Sequence, residues 1–152
     1  HDALPICGIE DAKFGKWEEV FRTNLFGNLA VVRALLPQMI KTQYGRIVFI
    51  SGGGAAYGYP LFSAYALSKV ALVREVENIA IEMKDKIKDF SIIALAPGAM
   101  ETEMLQKVRD AGGEVRTLVD IQEPVDFIKK FISMKEKSAK RLSGKFIHVR
   151  DN

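Results

Sequence analysis

The stretch Arg46-Ile47-Val48-Phe49-Ile50 decides the fold of this chain. It is a short, unbroken apolar run that is rich in β-branched residues, and the glycine triplet 52–54 follows it closely. A run of this kind predicts a strand that is buried on both faces, and such strands belong to parallel sheets covered by helices. Two more strands are predicted by apolar runs at 90–96 and 145–149.

Helices are predicted between and around these strands. Their expected positions are 17–41, 63–84, 103–109 and a segment that opens at Glu123-Pro124. Asn24, Gly27 and Pro37 are poor residues for a helix interior, so the first helix should be locally imperfect. The alternation of helices and strands predicts an α/β fold, which is a doubly wound, Rossmann-like parallel sheet.

The composition limits the class of protein. With 152 residues, of which 48% are hydrophobic, the chain is sized for one domain with a modest core. The net charge is +3 and basic residues concentrate late in the chain, which is typical of a solvated helix face rather than a nucleic-acid surface. No apolar run reaches the length of a membrane span, and the single cysteine, Cys7, fits a reducing compartment. We therefore expect a cytoplasmic protein without nucleic-acid or membrane partners, and we assign no metal site.

The first six residues are set apart from the fold. The segment His1-Asp2-Ala3-Leu4-Pro5-Ile6 matches the translation of a common sequencing adapter. We therefore treat residues 1–6 as a non-native segment and residues 7–152 as part of a domain. On this interpretation the native N-terminus is missing, and the absence of a signal peptide carries no information.

Tyr65 and Lys69 are the first candidates for chemistry. They lie four residues apart at the start of the helix predicted at 63–84, so both side chains project from one face. An ammonium group held near a phenol favours the phenolate and lowers a pKa that is normally about 10, which suits a general acid or base. An isolated pair of this kind is more often a surface tyrosine and lysine, so the neighbouring motifs must decide.

Four motifs, taken in order, resemble those of the short-chain dehydrogenase/reductase family, and the resemblance covers nearly everything after residue 6. They are Phe21-Arg22-Thr23-Asn24-Leu25-Phe26-Gly27, Gly45-Arg46-Ile47-Val48-Phe49-Ile50-Ser51, Tyr65-Ala66-Leu67-Ser68-Lys69 and Pro97-Gly98-Ala99-Met100-Glu101-Thr102. Each motif is weak alone, whereas their order and spacing together identify the chain as a member of the family.

The resemblance implies an NAD- or NADP-dependent oxidoreductase that interconverts an alcohol and a carbonyl compound by hydride transfer. Tyr65 would be the general acid or base, Lys69 would assist it, and Asn24 would free a backbone carbonyl that holds a water linking the lysine to solvent. The implied cofactor-binding residues are Tyr65, Lys69, Pro97, Gly98, Met100 and Thr102. Without the resemblance, Asn24 would pass as a tolerated surface residue and the 97–102 segment as an ordinary turn before a helix. Family members pair through their two long helices, so a homodimer or homotetramer is implied.

One member of the family's catalytic set is missing. Counting back from Tyr65, the position of the family's catalytic serine is occupied by Gly52. Loss of one such donor costs about 2.7–4 kcal/mol of transition-state stabilisation. Ser51 is a candidate because a flexible glycine turn could let it reach the substrate, and a backbone N–H, a water, Tyr57 or Ser63 could also substitute. The alternative is a catalytically impaired member that serves as a binding or scaffold protein.

The family's dinucleotide-binding half has no counterpart in this sequence. Neither the glycine-rich loop nor the residue that separates NAD from NADP is found, and the glycine triplet lacks the required spacing, so we interpret it as a close-approach loop beside the cofactor. We expect a bare sheet edge along 46–51 and an inactive chain when it is expressed alone.

An extended-type epimerase or dehydratase is disfavoured because only about fifty residues follow Pro97-Gly98. The substrate lid implied at 101–122 shows no distinctive chemistry, so the substrate stays undefined.

Overall fold

The computed structural model describes residues 5–113 and 118–151 of the chain. Its helices are α1 (Phe14–Phe21), α2 (Gly27–Thr42), α3 (Ser63–Met83), α4 (Glu103–Asp110), α5 (Gln122–Ser133) and α6 (Glu136–Leu142), and its strands are β1 (Tyr44–Ile50), β2 (Asp89–Ala96) and β3 (Phe146–His148). Short 3-10 turns lie at Ile9–Asp11, Gly53–Ala55 and Val149–Asp151. No helix in the described ranges is both long enough and apolar enough to span a membrane.

The three strands form one parallel sheet in the order β1-β2-β3. Ile47 lies opposite Ile92, and Leu95 lies opposite Ile147. The central strand β2 is buried from its second residue to its last, as predicted for a strand covered on both faces. The fold is therefore the expected Rossmann-like parallel sheet.

Helices cover both faces of this sheet. One face carries a cluster in which Ile47 and Ile92 pack with Leu72 and Val76 of α3, joined by residues of α2. The other face carries a cluster in which Ile93 packs with Phe131 of α5 and with residues of β3. The alternation of side chains along β1 and β2 places successive residues in the two clusters, so each strand supports both layers.

The predicted helix at 17–41 is interrupted. A π-helical turn at Arg22–Phe26 separates α1 from α2, whereas Pro37 lies inside α2 without ending it. The expected imperfection is thus confirmed, and it lies at Asn24. The helix expected from Glu123-Pro124 is also divided, because Met134 adopts an extended conformation between α5 and α6.

A buried ion pair closes the amino ends of β1 and β2. The side chain of Arg46 is 3% exposed, and its Nη2 lies 2.6 Å from Oδ1 of Asp89. The same guanidinium donates hydrogen bonds to the backbone oxygens of Gly45, Asp89 and Met134, and it lies over the ring of Tyr44. We call Tyr44, Arg46, Asp89 and Met134 the amino-end cluster.

The outer edge of β1 has no strand beside it in the described part of the chain. Ser51 N–H donates to the carbonyl oxygen of Leu95, so its main-chain groups face β2. Because these directions alternate along a strand, the carbonyl of Ile50 faces the outer edge. This is the bare edge that the sequence predicted.

Residues 1–4 of the proposed non-native segment lie outside the described residues. Ile6 packs against the small cluster formed by Phe62 and Val108, and the N–H of Cys7 donates to the carbonyl oxygen of Leu61. The non-native origin of residues 1–6 stays a prediction.

Candidate active site

Tyr65 and Lys69 lie in the first two turns of α3, beside the carboxyl end of β1. The Nζ atom of Lys69 lies 5.5 Å from the centre of the Tyr65 ring. The same ammonium donates a 2.9 Å hydrogen bond to the carbonyl oxygen of Ile50, on the outer edge of β1. The structure therefore brings the pair together, with the ammonium held over the ring and bound to the strand.

The pKa of Tyr65 moves in the direction opposite to the prediction from the pair alone. Burial raises the pKa of Tyr65, and the nearby Tyr59 raises it further. Burial also lowers the pKa of Lys69. The prediction was wrong in direction for this arrangement, because desolvation of both groups outweighs the attraction of an ammonium that is bound to a carbonyl. The phenol is protonated at neutral pH with or without this shift, and the raised pKa lies further from the working pH at which a general acid is most efficient.

Asn24 connects the π-helical turn to the helix that carries Tyr65. Its side-chain amide donates to Oγ of Ser68 at 3.1 Å, and that hydroxyl donates to the backbone oxygen of Tyr65 at 2.7 Å. The carbonyl oxygen of Asn24 accepts a 2.7 Å hydrogen bond from the side-chain amide of Asn28. The carbonyl expected to be freed by the helix defect is thus bonded by a side chain.

The glycine triplet is covered by side chains that follow it in the sequence. A Cβ atom on Gly52 would lie 2.9 Å from the hydroxyl oxygen of Tyr65. On Gly53 it would collide with the hydroxyl of Tyr57, and on Gly54 it would lie 3.0 Å from Cβ of Ala66. Gly52 has an extended backbone that any residue adopts, so the glycines supply space rather than unusual angles.

Ser51 lies at the end of β1, against α3. It is 3% exposed, and its hydroxyl donates to the backbone oxygen of Lys69 at 3.3 Å. The extended backbone of Gly52 gives no turn that would carry Ser51 towards the site. In this structure Ser51 joins the end of β1 to α3.

The 97–102 segment forms a tight turn after β2. Gly98 has φ 86°, and a Cβ atom there would collide with Val119. The N–H of Val119 donates to the carbonyl oxygen of Ala99 at 2.8 Å. Thr102 caps α4, because its hydroxyl oxygen accepts from the N–H of Leu105 at 3.2 Å and donates to the carbonyl oxygen of Met100. Residues 114–117 of the implied substrate lid lie outside the described residues.

The donor set at this end of the sheet is suited to an organic ligand. Three kinds of group lie here: the ammonium of Lys69, the hydroxyl of Thr102 and the main-chain groups around Gly98. Groups of these kinds can form hydrogen bonds with ribose hydroxyls and with a carboxamide. In the described residues, no three His, Cys, Asp or Glu side chains come together as a metal site.

Two residues near the site were missed by sequence reasoning. Ser68 lies inside the Tyr65–Lys69 motif and links Asn24 to the Tyr65 backbone. Tyr59 stacks on Phe62 with ring centres 4.7 Å apart, and the pKa of Tyr59 is raised by burial and by Tyr57. The helical spacing of Ser68 could have indicated its place, whereas nothing in the sequence marks Tyr59.

A family model described as short chain dehydrogenase matches residues 5–112. The chain is 29% identical to an uncharacterized oxidoreductase of Schizosaccharomyces pombe, over 94% of this chain and 61% of that protein. It is 34% identical to the benzil reductase ((S)-benzoin forming) of Saccharomyces cerevisiae, over 64% of this chain and 37% of that protein. The chain therefore spans less than two thirds of the length of these relatives.

Solved structures support the fold. An NAD+-bound xylitol dehydrogenase matches with a TM-score of 0.82 at 20% identity, covering 96% of this chain and 63% of that one. A 4-hydroxyisoleucine dehydrogenase mutant complexed with NADH and succinate matches with a TM-score of 0.80 at 19% identity, covering 95% of this chain and 62% of that one.

Proposed function

Because the chain belongs to the short chain dehydrogenase family, we propose that it supplies the catalytic part of an NAD(P)-dependent oxidoreductase that interconverts an alcohol and a carbonyl compound. The observation that carries this proposal is the position of the Tyr65 hydroxyl. It lies against Gly52 at the carboxyl end of β1, with Lys69 beside the ring. In open α/β sheets, ligands bind outside the carboxyl ends of the strands.

Tyr65 acts as the proton donor in the reducing direction. The phenol of Tyr65, whose pKa is raised by burial, is protonated at neutral pH and can give its proton to the oxygen of a carbonyl as that oxygen gains negative charge. In the oxidising direction the same oxygen takes the proton back. Asn24 and Ser68 fix the first turn of α3, and thereby the height of Tyr65 above the glycine triplet.

NAD or NADP supplies the hydride when it is bound. The residues present fit the nicotinamide end of such a molecule, since Lys69 offers an ammonium for ribose hydroxyls and the turn from Pro97 to Thr102 offers a hydroxyl and main-chain groups for a carboxamide. Gly98 has a positive φ, which glycine adopts without strain, so the turn can keep this conformation beside Val119. The dinucleotide seen in the xylitol dehydrogenase structure supports this choice of cofactor.

The phosphate-binding half of the site is supplied by sequence upstream of this chain. The position of Lys69 supports this part of the proposal, because its ammonium is bound to the outward carbonyl of Ile50. A further strand on that edge would offer an N–H to the same carbonyl and would release Lys69 towards the ribose. The chain alone is therefore expected to be inactive and to bind dinucleotides weakly.

The active protein is proposed to be a homodimer or homotetramer in a reducing compartment. Exposed apolar residues on α2 and α3 support association through these helices. They are Val31, Leu35, Leu67 and Val70. The partner in the reaction is a small alcohol or carbonyl compound.

The test is turnover by the full-length protein, with NADH and with NADPH, across a panel of aldehydes and ketones. The Tyr65→Phe variant should lose activity by about 10²–10⁴-fold, because general acid catalysis is removed while the ring is kept. Equal activity of Tyr65→Phe would contradict the mechanism, and absence of hydride transfer by wild type would contradict the function.

A second candidate is a non-catalytic member that serves as a binding or scaffold protein. Gly52 favours it, because the family's serine is absent at that position. Saturable binding of a dinucleotide to full-length wild type, without turnover on any member of the panel, would support this candidate.

A further inference from the structure

Gly52 leaves the proposed reaction without its usual second hydrogen-bond donor to the carbonyl oxygen. A single donor of this kind is worth about 2.7–4 kcal/mol of transition-state stabilisation, so its loss is a large effect unless another group substitutes. The replacement must be an O–H or N–H group beside the Tyr65 hydroxyl, on the side of the glycine triplet.

Two serines near the site are poorly placed for this task. Ser51 is buried, and its hydroxyl is engaged with the backbone oxygen of Lys69. Ser63 lies two residues before Tyr65 in α3, and residues two apart on a helix do not share a face.

Tyr57 is placed differently. Its hydroxyl occupies the place of a Cβ atom on Gly53. The Tyr65 hydroxyl lies in the same way beside the Cβ position of Gly52. Two phenolic hydroxyls thus rest on consecutive residues of one loop. Tyr57 is 44% exposed, so its side chain is accessible to a ligand from solvent.

We propose that the Tyr57 hydroxyl replaces the missing serine as the donor that orients the substrate carbonyl. This rests on the proposed function. As the carbonyl carbon accepts a hydride, the C=O electron pair moves to oxygen, and that oxygen takes the proton of Tyr65. Tyr57 keeps its own proton and donates only a hydrogen bond. The step therefore needs no further reactant.

The glycines are a condition of this arrangement. Any side chain at Gly53 would occupy the position of the Tyr57 hydroxyl, whereas a serine at Gly52 requires only a small shift of the Tyr65 hydroxyl, from 2.9 Å to a normal contact.

Tyr59 provides the matched control. It lies between the other two tyrosines in sequence, but its ring stacks on Phe62 and packs in the cluster around Phe62 and Val108. Its role is packing, so Tyr59→Phe keeps the ring contacts and should change kcat by less than threefold.

The experiment compares Tyr57→Phe, Gly52→Ser and the double variant in the full-length protein, using the ketone that wild type reduces fastest. Tyr57→Phe should lower kcat by about 10²–10³-fold with little change in thermal midpoint, because only a hydroxyl is removed. In the double variant, Gly52→Ser should raise kcat at least tenfold above that of Tyr57→Phe, a larger gain than the same change gives in the wild-type background. A Tyr57→Phe enzyme as fast as wild type would overturn the proposal, and so would equal gains from Gly52→Ser in both backgrounds.

A second measurement separates this proposal from the proposed function. In protein labelled with ¹³C at tyrosine Cζ, a saturating ketone from the panel should shift the Tyr57 resonance, which is assigned by its loss in Tyr57→Phe. If wild type shows no turnover, the proposed function fails, yet a Tyr57 shift would still support the donor. Absence of that shift overturns the donor whether or not turnover is found.

Discussion

The two ends of the sheet differ in how their polar groups are bonded. At the amino end, the Arg46 guanidinium is paired with Asp89 and donates to three backbone oxygens. At the carboxyl end, the loop after β1 offers three glycines, and the hydroxyls of Tyr57 and Tyr65 lie directly on two of them. One end bonds most of its polar groups within the protein, although Nε of Arg46 has no hydrogen-bond partner among the described residues, and the other holds polar groups against a surface without side chains.

This difference separates stability from chemistry along the same strands. Buried charges with several partners cannot rearrange without leaving one of them unpaired, so the amino end fixes the register of β1 against β2. Hydroxyl groups over glycine can donate to a ligand without breaking such a network. Substitutions at the amino end should therefore lower the free energy of unfolding. Substitutions at the carboxyl end should lower it less, and the loss should be smaller for residues nearer to Tyr65.

The largest loss of stability is expected from Asp89→Ala. It leaves the buried Arg46 charge without its carboxylate, and breaking a buried pair costs about 3–5 kcal/mol. We expect about 3 kcal/mol, the lower bound of that range, because three backbone oxygens still accept from Arg46 and Asp89 is 25% exposed. The free energy of unfolding from urea titration measures the effect.

The double variant Arg46→Met with Asp89→Leu is the control for this prediction. It removes both charges together but also the three hydrogen bonds that Arg46 donates to backbone oxygens, so it should recover only part of the stability that Asp89→Ala loses. A double variant as unstable as Asp89→Ala would mean that packing volume, rather than an unpaired charge, causes the loss.

A smaller loss is expected from Gly98→Ala, at the carboxyl end. The residue has φ 86°, and the added Cβ would collide with Val119, so strain and displacement together should cost about 2 kcal/mol. Gly58→Ala is the matched control, since no atom lies within 4 Å of its added Cβ, and it should be neutral or slightly stabilising. If thermal unfolding shows equal effects for the two alanines, the close approach at Gly98 is not what the turn requires.

The contrast between the two ends also explains which features could be predicted from the sequence. Short apolar runs and helical patterns are local properties of the sequence, so β1, β2, α3 and the defect at Asn24 were predicted correctly. The direction of the Tyr65 pKa shift was not, because it depends on burial and on where the Lys69 ammonium finds an acceptor. Those are properties of the folded chain.

The division of the helix after Pro124 and the position of Tyr57 escaped prediction for the same reason. Met134 leaves the helical conformation where its carbonyl oxygen accepts from Arg46, a contact across 88 positions of sequence. Tyr57 meets Gly53 only because the loop folds back through the turn Gly53–Ala55. No local pattern records either contact.

A loss of about 1 kcal/mol is expected from Asn24→Ala, which removes the hydrogen bond to Ser68. Ser68 is fully buried but still donates to the backbone oxygen of Tyr65, so one partner remains and the cost stays moderate. Asn78→Ala is the control, because its amide donates to Glu75 in an exposed i,i−3 pair of α3. Its effect on the free energy of unfolding should be below about 0.5 kcal/mol.

The smallest effect is a pH dependence that Lys69→Met should remove. The unfolded chain holds the Lys69 proton up to about its ordinary pKa of 10.5, whereas burial lowers that pKa in the folded protein. Between the two values the unfolded chain binds more protons, so this lysine makes the free energy of unfolding rise with pH. Tyr65 acts in the opposite sense, but only above its ordinary pKa of 10.0, because its folded pKa is raised.

Urea titrations from about pH 7 to about pH 9.5 therefore isolate the contribution of Lys69. Wild type should gain stability relative to Lys69→Met as the pH rises across this range. Lys41→Met, at the exposed end of α2, is the control for the removal of one positive charge. If the Lys69→Met and wild-type curves were parallel, the ammonium would be as well solvated as a surface lysine. Desolvation of the Lys69 ammonium would then cost no stability at the carboxyl end of the sheet. The difference between the two ends would be a difference in packing alone.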